Sequence, residues 1–187
     1  MTDEEHGKLD LEAVRITSER LTLVPITPAY REDIFREFTS EITTHMFPSA
    51  PESIADTDEY IAKTTAERAA GTDLAMAILK DGEFLGNGGI HALDTRTPEL
   101  GIWIKKSAHG NAYGREAVTA IKNWADENLN YDYLEYPVVA INVSSRKIAE
   151  SLGGTVDREF NKKNGRGEDR EMVMYHIPRG KRAGDIR

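Results

Sequence analysis

The sequence contains no cysteine among its 187 residues. Disulfide bonds, thiolate metal sites and an acyl-cysteine intermediate are therefore excluded. The chain also lacks any apolar run near the ~20 residues of a membrane-spanning helix. Its first ten residues are acidic and have no apolar stretch typical of a signal peptide. These absences predict a cytoplasmic protein with no membrane partner.

Positive charge is also scarce, since 24 lysines and arginines face 32 aspartates and glutamates, for a net charge of −8. Non-specific nucleic-acid binding needs clustered Lys and Arg to displace counterions from phosphates. We therefore expect no nucleic-acid partner. An acidic surface favours a cationic partner such as an amine, although the same charge also serves solubility.

The length suits a single domain, because domains commonly run to about 100–200 residues. No internal repeat or low-complexity linker interrupts the chain. Residues 1–14 and 181–187 have the composition of polar tails. The sequence therefore predicts one domain over residues 15–180.

The first half of that domain is predicted to hold a strand, two helices and three more strands. Thr27-Pro28 opens the first helix, while Ser53 with Asp56 forms a capping box for the second, which Gly71 closes. Asp81-Gly82 is typical of a hairpin turn, so the last three strands form an antiparallel meander. The four strands are expected at Leu21–Ile26, Leu74–Leu79, Phe84–Ile90 and Leu100–Ile104.

The second half alternates helices and strands. A helix after Gly114 has one apolar face and makes a right-handed parallel crossover to the fifth strand. The remaining elements are predicted as a strand over Tyr136–Val143, a helix over about Ser145–Leu152, and two strands over Thr155–Phe160 and Met172–Ile177, joined by a loop over Asn161–Asp169. The fold class is therefore α/β (α+β), with a mixed, largely antiparallel sheet and flanking helices.

The segment Leu100–Ala117 reads LGIWIKKSAHGNAYGREA, a strand that leads through small residues into a helix. Free backbone N–H groups and the helix dipole at such a junction suit phosphate oxygens. An ordinary tight turn gives the same pattern. The segment lacks the ending of a P-loop and the glycine spacing of a dinucleotide fingerprint.

This segment resembles the central motif of GNAT acetyltransferases, in which a strand precedes a Gln/Arg-x-x-Gly-x-Gly/Ala loop and a helix. Here His109 stands in place of the usual Gln or Arg, and Ala112 replaces the first core glycine, whereas Gly114 is present. Ala is small enough to leave its N–H accessible. The resemblance extends over about residues 15–177.

A second segment, NVSSRKIAESLGG from Asn142 to Gly154, is similar to the family's Asn-x-x-Ser/Ala…Leu-Gly-Phe signature. Ala149 occupies the position at which many relatives carry a general-acid Tyr, and Gly154 replaces the customary Phe. Ser145 instead matches the subgroup of ribosomal-protein N-terminal acetyltransferases, which the opening residues 16–35 also resemble.

The resemblance implies a GNAT fold whose fourth and fifth strands splay apart to hold acetyl-CoA as a cosubstrate, without a metal. Strand-four backbone groups are expected to pair with the pantetheine arm, the glycine-bearing loop to hold the pyrophosphate, and Asn142 to bond a pantetheine amide. Arg115 and Lys147 are either phosphate neighbours or solvated charges. The expected cofactor-binding residues are Ile102, Trp103, Ile104, His109, Gly110, Asn111, Ala112, Tyr113, Gly114, Arg115, Asn142, Ser145 and Lys147.

Three residues are candidates for catalysis. Glu99, at the start of strand four where many relatives carry Glu, can accept the amine's proton, or it is simply a surface carboxylate. His91, at the end of the preceding strand, is the second candidate for the base, or a structural residue. Ser145 can protonate or hydrogen-bond the departing thiolate, or cap the helix that follows it.

These residues predict direct transfer of the acetyl group to a primary amine in a ternary complex, with a peptide or protein N-terminal α-amine as acceptor. A small-molecule amine (a polyamine, aminoglycoside or amino-acid derivative) and a non-catalytic CoA-binding module are the alternatives. The acceptor pocket is expected from residues 28–71 and the loop before the last strand; residues 44–48 line it or form an ordinary loop. A homodimer is implied by resemblance alone.

Overall fold

The computed structural model describes residues 9–180. The predicted C-terminal tail, residues 181–187, lies outside them. A 3-10 turn over Leu11–Ala13, capped by Asp10, buries Leu11 in the core, and Glu12 forms an ion pair with Arg68. Within the segment expected as a polar tail, Leu11 and Val14 therefore pack on the core. The domain bounds at residues 15 and 180 stay a prediction.

One eight-stranded sheet forms the centre of the fold, with the strand order β1-β2-β3-β4-β5-β6-β8-β7. Neighbouring strands are antiparallel except β5 and β6, which are parallel, as expected for a crossover through the intervening helix. The strands are β1 Ile16–Thr17, β2 Thr22–Pro25, β3 Asp73–Lys80, β4 Glu83–His91, β5 Glu99–Ile104, β6 Tyr133–Val139, β7 Thr155–Lys163 and β8 Asp169–Pro178.

Five α-helices accompany this sheet among residues 9–180: α1 Arg31–Glu37, α2 Ser40–Thr43, α3 Ile54–Ala70, α4 Tyr113–Asn128 and α5 Val143–Ser151. Ser53 and Asp56 form the predicted capping box of α3, and Gly71 ends that helix in the left-handed conformation with φ +79°. The helix α2 was not predicted, since four residues are too few to show a helical period. None of the helices in this range is long and apolar enough to span a membrane.

Two predicted boundaries near the second motif are wrong. The strand expected over Tyr136–Val143 ends at Val139, because Asn142 caps α5 by accepting a hydrogen bond from the Ser145 N–H, which draws Val143 into the helix. The predicted loop over Asn161–Asp169 is also shorter, since β7 and β8 pair as far as Lys163 and Asp169. β7 is an edge strand exposed on both faces. Polar side chains can face solvent there without interrupting the strand.

The sheet separates two hydrophobic clusters, each covered by helices, as layer packing requires. The larger cluster joins α4 and α5 to one face through residues such as Ile90, Leu100 and Ile121. The smaller cluster joins α1 and α3 to the other face through Ile34 and Ile61. Each face of the sheet is therefore covered by its own pair of helices.

The centre of the sheet opens between β5 and β6. These strands pair only at Glu99 and Glu135, with the Glu135 N–H donating to the Pro98 carbonyl at 2.8 Å. Beyond that pair they separate. They are the predicted fourth and fifth strands, so the expected splay is confirmed.

Gly86 allows β4 and β5 to approach closely at the register shift of β4, so we expect Gly86→Ala to displace β5. A Cβ on Gly86 would lie 2.1 Å from the Trp103 carbonyl oxygen. Overpacking of this kind costs about 1–3 kcal/mol, and backbone atoms cannot yield as a side chain can. We expect the loss in free energy of unfolding, measured by urea denaturation, to lie at or above the upper end of that range.

Gly82→Ala is the matched control, because a Cβ there meets nothing within 4 Å and only the positive φ of +83° is unfavourable. That strain costs about 1 kcal/mol. Equal losses for the two variants would contradict the close approach at Gly86.

Candidate active site

A cleft of about 830 Å³ opens where β5 and β6 part. This volume lies within the range of small-molecule sites, ~300–1,000 Å³. Both helix α3 and the loop over residues 45–49 line it, as do strands β4 to β8. Six residues predicted for the site line this cleft: His91, Glu99, Ile102, Trp103, Asn142 and Ser145.

Four ionisable residues stand side by side on neighbouring strands at the narrow end of the cleft. Strand pairing places Asp73 opposite His91, His91 opposite Glu99, and Glu99 opposite Glu135. Directly opposite residues face the same side of a sheet, so these four form one ionisable row. His91 Nδ1 lies 2.6 Å from Asp73 Oδ1.

Two residues of the ionisable row, Glu99 and His91, have shifted pKa values. Burial raises the pKa of Glu99; the charges of His91 and Lys162 oppose this shift, and Glu135 adds to it. Burial alone would lower the pKa of His91, but the hydrogen bond that His91 Nδ1 donates to Asp73 and the nearby carboxylates raise it. A carboxylate with a raised pKa accepts a proton more readily, and the shift at His91 favours its protonated form, which has no lone pair left to accept one. Both directions are compatible with Glu99 as the base, which stays a prediction.

Next to the ionisable row the sheet carries no side chains. Gly89 on β4 and Gly101 on β5 are paired and face the cleft. A Cβ on Gly101 would lie 3.1 Å from His91 Nε2, and one on Gly89 would lie 3.2 Å from His91 Cε1. The His91 ring thus covers this glycine strip, Gly89 and Gly101, and the missing side chains leave room for the ring.

Ser145 reaches the cleft from the first turn of α5 and shares a hydrogen bond of 2.8 Å with the Tyr136 hydroxyl. The alternative that Ser145 caps the helix is wrong, because Asn142 occupies the cap position. Burial raises the pKa of Tyr136 to about 12. Sequence reasoning missed Tyr136, which sits in an apolar strand; the available signal was that a buried Tyr hydroxyl needs a partner.

The glycine-bearing loop places unpaired donors at the start of α4. Six consecutive backbone N–H groups, residues 110–115, have no acceptor among residues 9–180. Gly114 was expected in the loop before the helix. It lies instead in the first turn of α4, since that helix begins at Tyr113. Ala112 adopts φ +59°, a left-handed conformation that glycine adopts at lower cost.

Arg20 fixes this loop and was not predicted. Its guanidinium donates to the Asn111 carbonyl at 3.0 Å and to the Glu116 carboxylate at 2.7 Å. It also lies 4.6 Å from the centre of the Tyr113 ring. Arg20 thereby neutralises the carboxylate nearest the unpaired N–H groups. Its contacts join residues far apart in sequence, so no local pattern reveals them.

The remaining predicted cofactor residues differ in their contacts. Ile102 and Ile104 pack toward α4, whereas Trp103 packs on Phe38 from the other face. His109 Nε2 lies 2.7 Å from the Ile104 carbonyl oxygen, so this ring stabilises the loop. Arg115 and Lys147 are exposed and lie outside the cleft.

Residues 45–48 of the 44–48 loop line the cleft, whereas Thr44 does not. A role for this loop in the acceptor pocket stays a prediction. The Phe47 carbonyl accepts a hydrogen bond of 3.2 Å from Gly165, in the turn between β7 and β8. Asn142 Nδ2 donates to the His45 carbonyl at 3.4 Å. The cleft is therefore partly roofed. No group of three His, Asp or Glu residues within 9–180 is placed to hold a metal ion.

Comparison with known proteins gives a family match over most of the chain. A family model described as acetyltransferase (GNAT) domain matches residues 20–155. No curated protein sequence matches the chain.

Solved structures with similar coordinates share little sequence. A Salmonella typhimurium acetyltransferase that modifies the N-terminal serine of ribosomal protein L7/L12 has TM-score 0.78 and 13% identity, covering 88% of this chain and 99% of that one. RimL, a ribosomal L7/L12 α-N-protein acetyltransferase in complex with coenzyme A, has TM-score 0.77 and 13% identity, covering 88% and 98%. A GCN5-related N-acetyltransferase from Brucella melitensis has TM-score 0.75 and 17% identity, covering 89% and 79%.

At these identities the structures show the shared fold, whereas the family model extends over both the splayed strands and the glycine-bearing loop. The chain therefore belongs to the GNAT acetyltransferase family and is an acetyl-CoA-dependent N-acetyltransferase.

Proposed function

We propose that this enzyme acetylates the free α-amine of a peptide or protein by direct attack within a ternary complex. The observation that carries the proposal is the point at which β5 and β6 part. There a cleft passes between the strands, and Glu99, with its raised pKa, stands where the strands part, next to His91 and the glycine strip. A cytoplasmic location and a homodimer belong to the same proposal.

Acetyl-CoA supplies the thioester whose acetyl group is transferred. The unpaired N–H groups of residues 110–115 and the positive end of the α4 dipole suit its pyrophosphate. The β6-facing edge of β5, at Ile102–Ile104, has backbone groups free to pair with the pantetheine amides. Asn142 lines the gap with an Nδ2 group that is held only by a 3.4 Å bond. These residues fit the cosubstrate, and Arg115 and Lys147 add positive charge on the nearby surface.

Glu99 accepts the proton that the amine must lose before it attacks. An α-amine has a pKa of ~8 and is mostly protonated at neutral pH. A carboxylate in a partly dry cleft is a better base than one in water, because desolvation penalises its charge. His91 bonds Asp73, and its positive charge lowers the pKa of Glu99, which favours the deprotonated form of Glu99 between turnovers. An N–H of β5 is placed to stabilise negative charge that develops on the carbonyl oxygen.

Ser145 donates its hydroxyl proton in a hydrogen bond to the departing sulfur. The Tyr136 hydroxyl orients this group by bonding Ser145 Oγ at 2.8 Å. With its pKa raised to about 12, Tyr136 stays protonated and can donate to Ser145. This pair replaces the family's usual general-acid Tyr, whose position holds the fully buried Ala149.

A terminal amine suits the shape of the cleft. The hydrogen bond between Gly165 and Phe47 closes part of the rim, so a chain end can enter more easily than a residue within a folded surface. The resemblance of residues 16–35 and Ser145 to ribosomal-protein N-terminal acetyltransferases supports the same acceptor, as do the structural neighbours that act on L7/L12. A small-molecule amine is the second candidate, since the cleft volume of about 830 Å³ also fits one.

The acceptor is tested with peptides that differ only in which amine is free. Peptides with a free Ser, Ala or Thr terminus are expected to react faster than N-terminally blocked peptides that carry one internal Lys. Release of CoA thiol, monitored against a polyamine and an aminoglycoside as further arms, is the measurement. Equal rates for both peptide classes, or a preference for either small molecule, would overturn the α-amine.

Removing the base should abolish most turnover without weakening the cosubstrate complex. Glu99→Gln is expected to lower kcat by a factor of order 10² or more, while calorimetry shows unchanged acetyl-CoA affinity. Glu135→Gln is the matched variant: its charge raises the pKa of Glu99, so its removal should move the acidic limb of the kcat–pH profile to lower pH. The acceptor amine titrates alike in every variant.

The acidic limb should therefore shift in Glu135→Gln and vanish in Glu99→Gln. If His91→Ala abolishes turnover and Glu99→Gln does not, the base is assigned to the wrong residue.

The Ser145–Tyr136 pair is tested by a double-mutant cycle. Ser145→Ala is expected to lower kcat and to destabilise the fold by about 1–3 kcal/mol, because it leaves the buried Tyr136 hydroxyl unpaired. Adding Tyr136→Phe should restore stability and leave kcat low. If the double variant recovers kcat with its stability, Ser145 acts only in packing.

A further inference from the structure

Two buried polar atoms on the acceptor side of the cleft have no hydrogen-bond partner among residues 9–180. They are Thr57 Oγ1 and Asn87 Oδ1. Thr57 is 2% exposed and Asn87 is 6% exposed, and both line the cleft. A buried polar atom without a partner destabilises a fold by about 1–3 kcal/mol. Two of them at the wall of one cavity indicate a group that arrives with the substrate.

The carboxamide of Asn87 has a partner at one end only. Asn87 Nδ2 donates to the Tyr60 hydroxyl at 3.1 Å. Its Oδ1 has no partner among residues 9–180 and can accept a hydrogen bond. The pKa of Tyr60, raised to about 12 by burial, keeps this hydroxyl protonated. The cluster of Thr57, Tyr60 and Asn87 is therefore neutral and polar.

The position of this cluster relates it to the reacting amine. Asn87, Gly89 and His91 alternate along β4 and face the same side. At ~3.4 Å per residue, Asn87 is about 7 Å from Gly89 and about 14 Å from His91. The glycine strip lies between Asn87 and the ionisable row. Helix α3 contributes Thr57 and Tyr60 to the opposite wall of the cleft. An extended peptide advances at the same rise per residue, so the cluster is two to four residues from the terminal amine.

We propose that Thr57, Tyr60 and Asn87 form a polar subsite that binds an uncharged N–H or O–H group of the acceptor, which in a peptide is the backbone N–H of residue three, four or five. This subsite rests on the proposed peptide acceptor. It selects a chain that continues beyond the first residue, since a lone amine would leave Thr57 and Asn87 unpaired. The uncharged side chains of the subsite suit an uncharged N–H or O–H group, because no charge has to lose its water when the two meet.

The test uses a Ser-Ala-Ala-Ala-Ala peptide amide with a free terminus and three analogues. Each analogue replaces one backbone N–H, at residue three, four or five, by an ester oxygen. Wild-type enzyme is expected to lose roughly threefold to tenfold in kcat/KM on one analogue. Thr57→Val, which keeps the side-chain shape, should lose a similar factor on the parent peptide and no longer distinguish that analogue.

Thr64→Val is the matched control. Thr64 is also buried on α3, but its hydroxyl bonds the Ile61 carbonyl at 3.1 Å and does not line the cleft. Its kcat/KM and its preference for the amide should equal those of the wild type. Asn87→Leu gives a second measurement from the sheet side, should Thr57→Val fold poorly.

The outcomes separate this subsite from the proposed acceptor. If the parent peptide is acetylated but no analogue is discriminated, or if Thr57→Val and Asn87→Leu keep the wild-type discrimination, the subsite is wrong and the acceptor stands. If neither the parent peptide nor any analogue is acetylated, the peptide acceptor and the subsite fail together.

Discussion

The structure depends on one constraint: β5 and β6 are paired at a single residue pair and then separate. Separation of parallel strands inside a sheet leaves backbone groups without partners, which a buried sheet rarely tolerates. Each strand is held by its outer neighbour instead, since β5 pairs along its length with β4 and β6 with β8. The gap is thus a rigid feature between two fixed walls, and its unpaired groups are available to a ligand. Preorganisation of this kind lets a site bind without first rearranging.

The same pairing also arranges the electrostatics. Because Asp73, His91, Glu99 and Glu135 are directly opposite in register, carboxylates and one imidazole are brought together by the sheet and not by a loop. Burial raises the pKa of Glu99, and the hydrogen bond to Asp73 raises the pKa of His91 against the opposite effect of burial. In a chain with net charge −8, the register holds three carboxylates beside one imidazole at the point where β5 and β6 part.

Local features of the fold could be predicted from the sequence, whereas long-range ones could not. The Ser53 capping box and the Asp81-Gly82 hairpin are encoded by a few adjacent residues, and the structure confirms both. The start of α5 was misplaced because β-branched residues around Val143 favour a strand, while Asn142 decides the cap. At the candidate site, the family resemblance predicted the glycine-bearing loop before α4 and picked out Glu99, which lines the cleft.

The remaining contacts at the site depend on pairing across the sheet. Tyr136 meets Ser145 only because β6 passes beneath α5, and Arg20 meets Glu116 across 96 positions of sequence. The unpaired state of Thr57 and Asn87 is likewise a property of the packed cleft. No residue pattern along the chain contains such information, since each residue type is ordinary in its own element.

The position of β8 has a consequence for the order in which the enzyme is assembled. Strand β8, residues 169–178, is inserted between β6 and β7, which both precede it in the chain. A nascent polypeptide that has emerged only as far as β7 therefore has an unsupported β6, and one wall of the gap is missing. Threading β8 into place completes the sheet and the catalytic cleft in the same step. Competence for acetyl transfer is thereby coupled to translation of the last strand, so prematurely terminated chains carry the motifs of the enzyme without its site.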